Sequence, residues 1–83
     1  MMPHNAPSFA NPKVNASIAA YINDIERAKS LPELDTHFLR AGAYLKALSD
    51  VEAIGADDLA GVTLVVDRLY QEQFRRLGKL GFL

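Results

Sequence analysis

The chain has 83 residues, 49% of them hydrophobic, which suits one small globular domain and leaves no room for a second core. Nine Lys plus Arg against ten Asp plus Glu give a net charge of -1, without the basic excess that phosphate neutralisation asks of a nonspecific nucleic-acid binder. There is no cysteine, hence no disulfide or thiolate metal site, and no apolar run approaches the ~20 residues of a membrane span.

A core of this size yields roughly 3–5 kcal/mol of net stability, so self-association is an expected reinforcement. Met1 to Asn5 lacks the basic region and apolar core of a secretory signal. A cysteine-free chain fits a reducing cytoplasm, the expected location.

In chain order, residues 1–14 read as a flexible arm. Pro3, Pro7 and Pro12 fix φ and remove backbone donors there. Phe9, its one aromatic group, either tucks onto the domain or serves as a docking motif. The domain proper is predicted over residues 15–79, followed by an apolar tail, residues 80–83. Asn15 is an N-cap type and opens the first predicted helix. Ile18, Tyr21, Ile22, Ile25 and Ala28 share one of its faces.

Ser30-Leu31-Pro32-Glu33 matches a capping box, in which the Ser hydroxyl and the Glu carboxylate each satisfy an orphan N–H. Proline is tolerated in that first turn. The second helix is predicted from Leu31 to Val51, with Leu34, Phe38, Ala41, Leu45 and Leu48 on one seam. Glu52 would fall on that seam, so the helix is expected to stop before it.

Ile54-Gly55-Ala56-Asp57-Asp58-Leu59 reads as the third start. Gly55 caps, Ile54 staples to Leu59, and two aspartates complement the dipole. Leu59, Val62, Val66, Leu69, Tyr70, Phe74 and Leu77 form the inner face, with Gly78 the expected C′ residue. The predicted fold is therefore all-α: a three-helix bundle of one shorter helix and a long antiparallel hairpin. The helices have about 14, 21 and 22 residues, with short connections.

Chemistry is sparse. His4 reads as a solvated arm residue. His37 lies one turn after Glu33, but a metal site needs three or four ligands. It therefore reads as a boundary histidine bonded to Glu33 or to a neighbouring helix. His37, Arg40 and Tyr44 share a flank that reads as the rim of the core rather than an anion pocket. No serine or threonine sits in a nucleophile motif, and no Gly-rich loop precedes a helix. No catalytic, cofactor-binding or metal residue is assigned, no small-molecule substrate is expected, and the expectation is a non-enzyme.

Surfaces are more telling. Leu39 lies off the seam of its helix, among Thr36, Ala43 and Ala47, and Leu64 points away from Val66 and Tyr70. Arg68, Arg75, Arg76 and Lys79 form a basic strip diluted by Asp57 and Glu72, which reads as a solvated face. Leu39, Ala43, Ala47, Leu64, Arg68, Arg75 and Phe82 are the candidate partner-binding residues.

Tyr21-Ile22, Ile25, Arg27-Ala28-Lys29-Ser30-Leu31 and Leu34 resemble the first segment of the Hha/YmoA nucleoid-associated modulators. Asp58-Leu59-Ala60 with Asp67 is similar to their later helix. The likeness covers about half the chain, and the second helix here is about two turns longer. It implies a small helical protein acting with a DNA-organising partner. Small size and absent chemistry also resemble accessory proteins of phages and mobile elements. The sequence thus points first to a non-enzymatic regulator or inhibitor that binds another protein or a second copy of itself. A nucleic-acid-linked modulator is the alternative.

Overall fold

The computed structural model describes residues 11–79. They form α1 (Pro12–Glu26), α2 (Leu31–Asp50) and α3 (Ala56–Lys79), with no strand among the described residues. The all-α three-helix bundle expected from the apolar spacing is the fold, with helices of 15, 20 and 24 residues. Phe9 and Phe82 lie outside the described residues.

α1 begins three residues earlier than Asn15. Asn11 is the N-cap, its side-chain oxygen accepting the N–H of Lys13 at 2.9 Å and of Val14 at 3.3 Å. Pro12 follows at the first helical position, where its fixed φ suits the helix and its missing donor is not needed. Residues 12–14 therefore belong to the domain rather than the arm, and Val14 joins the buried core.

Ser30 caps α2 through its hydroxyl, which accepts the Glu33 N–H at 3.2 Å. The Glu33 carboxylate turns to His37, with 3.7 Å between Oε2 and Nε2. α2 ends at Asp50, ahead of Glu52. Ala53 N–H donates to Leu48 C=O at 2.8 Å and Glu52 N–H to Ser49 C=O at 3.0 Å. Those are the two bonds of a Schellman motif, and Glu52 holds its left-handed position at φ 57°. Gly55 offers its carbonyl to Leu59 N–H at 2.9 Å and so stands at the cap of α3. Gly78 is not the C′ residue, because α3 continues to Lys79 with Leu77 fully buried in its last turn.

Ile25, Leu34, Val62 and Leu77 are the largest fully enclosed side chains. Each such burial removes apolar surface worth about 1.5–3 kcal/mol. No polar or charged side chain is buried among the described residues. Asp35, early in α2, meets Tyr70, late in α3, so those helices run antiparallel. Ala28, just past α1, meets Arg76 near the end of α3, so α1 and α3 run parallel. No helix among the described residues is long and apolar enough to cross a membrane.

Candidate interaction surface

The bundle has three sides, and they differ in how they are closed. Between α1 and α2, Tyr21 packs on Tyr44 with ring centroids 5.1 Å apart. His37 is half-buried beside Glu33, its Nδ1 without a hydrogen-bond partner among the described residues, while Arg40 is exposed. This flank is a rim with its tyrosine engaged. Among the described residues, no three His, Asp or Glu side chains gather as metal ligands would.

Between α2 and α3, Phe38, Tyr70 and Phe74 form an aromatic row, with centroid separations of 4.4 and 6.0 Å. The Tyr70 hydroxyl donates to Asp35 Oδ1 at 2.8 Å. That bond, then burial and the Asp35 charge, raise the phenol pKa above its usual value. Phe74 departs from its expected place inside: it is 44% exposed. The inner seam of α3 runs Val62, Val66, Leu69, Gln73, Leu77, so the glutamine takes the position next to the axis and Phe74 lies one step outside. A hollow of about 360 Å³ continues this side past Gly42 and Leu59.

Between α1 and α3 the bundle is open. A groove of about 630 Å³ is lined by Ile22, Leu64, Val65 and Leu69, with Glu26, Arg68 and Glu72 supplying charge. At its far end Arg76 bridges the two helices. Its Nη2 donates to Ala28 C=O at 2.9 Å and its Nε to Gln73 Oε1 at 2.7 Å. The Arg76 guanidinium thereby brings a cation from α3 to the C-terminal end of α1, beside its C-cap Arg27. Arg76 is thus a structural tie and leaves the basic strip to Arg68, Arg75 and Lys79, all exposed.

The candidate residues fall on separate faces. Leu39, 70% exposed, shares the outer face of α2 with exposed Ala43 and Ala47. Leu64, 58% exposed, forms the α3 lip of the α1/α3 groove together with Arg68. That groove faces away from α2, so the two leucines serve two surfaces and not one patch. Arg75 lies farther along α3, beside Phe74. Sequence reasoning missed Phe74 as surface; the available signal was Gln73, which the four-and-three spacing places on the seam. Val51, exposed at the C-cap of α2, was likewise not singled out.

The chain matches no family model, no curated protein and no solved structure.

Proposed function

We propose that this protein is a non-enzymatic helical module that acts by protein–protein contact, as a small regulatory or inhibitory subunit. The observation that carries the reading is the exposure of Leu39 and Leu64 on a bundle whose buried core is assembled without them. Scattered surface leucines are ordinary. Here each sits in a setting suited to a helical partner: Leu39 beside Ala43 and Ala47, which allow close approach, and Leu64 on the lip of an apolar groove.

The test is a paired substitution, Leu39→Glu with Leu64→Glu. Both positions are exposed, so the helical circular dichroism and melting midpoint should stay close to wild type. Affinity capture from the native lysate should lose the proteins that the wild type retains. Retention of the same proteins by the doubly charged variant would refute the assignment.

A further inference from the structure

Six exposed residues of α3 recur at alternating steps of four and three: Asp57, Gly61, Leu64, Arg68, Gln71 and Arg75. This is a second seam, pointing away from the core, with an apolar knob at its centre and opposite charges at its ends. We propose that it pairs antiparallel with the same seam of a second copy of this chain.

The charge order selects that partner. In an antiparallel two-fold pairing a residue and its opposite are exchanged between the copies, so each contact occurs twice. Centring the axis between Gly61 and Leu64 sets Asp57 of each copy against Arg68 of the other. The same register lays each Leu64 on Gly61 of the second copy, as core positions do in antiparallel coiled coils. Gly61 fits this register. It sits inside a helix, where glycine is unfavourable relative to alanine, yet a Cβ there would meet nothing within 4 Å. Packing within the chain therefore does not demand a glycine, whereas a leucine arriving from outside would find room. Sliding by one heptad would pair Asp57 with Arg75 but set Leu64 against Arg68, leaving the leucine poorly covered.

One helix face covers less than the ~800 Å² per partner of a standard stable interface, so association should depend on concentration and weaken with salt. The inference rests on the reading of Leu64 as contact surface, but its test is separate from capture of another protein.

Sedimentation equilibrium of the full chain from ~10 µM to ~1 mM should show a reversible monomer–dimer equilibrium. Asp57→Arg alone and Arg68→Asp alone should each weaken it about tenfold, since each sets like charges opposite at two places. The double variant Asp57→Arg/Arg68→Asp should restore it, and a mixture of the two single variants should form a heterodimer. Asp58→Arg, which perturbs the same helix end off the seam, should leave dimerisation intact. A wild type monomeric throughout, or a double variant that stays monomeric, overturns the pairing. Neither result alters which proteins are captured, so the proposed function would stand or fall on its own experiment.

Discussion

The α2/α3 side and the α1/α3 side of this bundle are built from the same kinds of helix but closed to different degrees. α2 and α3 are joined by the aromatic row of Phe38, Tyr70 and Phe74 and by the Tyr70–Asp35 bond. α1 and α3 leave an open groove, closed at one end by a single arginine on a backbone carbonyl. The difference teaches that polar and aromatic side chains tie α2 to α3, while α1 is held to the shared core by its buried apolar residues and, among the described residues, by the Arg76–Ala28 bond.

The largest break in that picture is Ile25→Ala. Ile25 is fully buried, so truncation should cost about 3 kcal/mol from lost transfer and cavity together. That is most of the roughly 3–5 kcal/mol available to so small a domain. The urea midpoint should collapse, whereas Leu39→Ala, on the exposed face of α2, should barely move it. Equal shifts for the two would mean that α1 is not anchored by this residue.

Next comes Arg76→Ala. It leaves the part-buried Ala28 carbonyl short of a donor, at about 1–2 kcal/mol. The distinctive outcome is regional. Amide hydrogen exchange should rise in α1 well before α2 and α3, because the tie serves the open side. A uniform rise across the three helices would count against the comparison. Glu52→Gly acts on the opposite side and with the opposite sign. A non-glycine residue at φ 57° is disfavoured, so glycine in this Schellman turn should raise stability by about 0.5–1 kcal/mol. An unchanged or lower denaturant midpoint would show that the α2/α3 turn carries no such strain.

The hairpin was the more legible half. The seam Leu34, Phe38, Ala41, Leu45, Leu48 fixes which face of α2 turns inward, and Ser30 with Pro32 fixes where that helix starts. Two boundaries are less legible for local reasons. Pro12 follows Pro3 and Pro7 in a proline-rich stretch, yet Asn11-Pro12 is a cap followed by a first-turn proline. Gly78 is of the type that ends helices, but burial of Leu77 carries α3 past it. Arg76 could not have been found: its partner is the backbone carbonyl of Ala28, which has no side-chain signature, and 48 residues separate the two. Spacing alone showed that Leu39 and Leu64 point outward. It could not show that they border different sides, because that depends on how the helices are arranged.

The smallest effect probes the closed side. Tyr70→Phe removes a solvent-accessible hydrogen bond to Asp35 and should cost about 0.5 kcal/mol near neutral pH. Its pH dependence is more diagnostic than its size. The folded phenol is raised above its ordinary value of 10.0, first by the bond to Asp35, then by burial and the Asp35 charge. Between the unfolded and folded values the native state keeps a proton that the unfolded chain has lost, so stability falls as pH rises. The contribution is thus complete below pH 10.0 and disappears as pH climbs through the folded value. The stability gap between wild type and Tyr70→Phe should therefore be constant at neutral pH and shrink in alkali. Asp35→Asn removes the carboxylate, so the phenolate absorbance of the folded protein should develop at lower pH than in the wild type. An identical titration in that variant would mean that Asp35 does not govern Tyr70 and that ring packing alone closes this side.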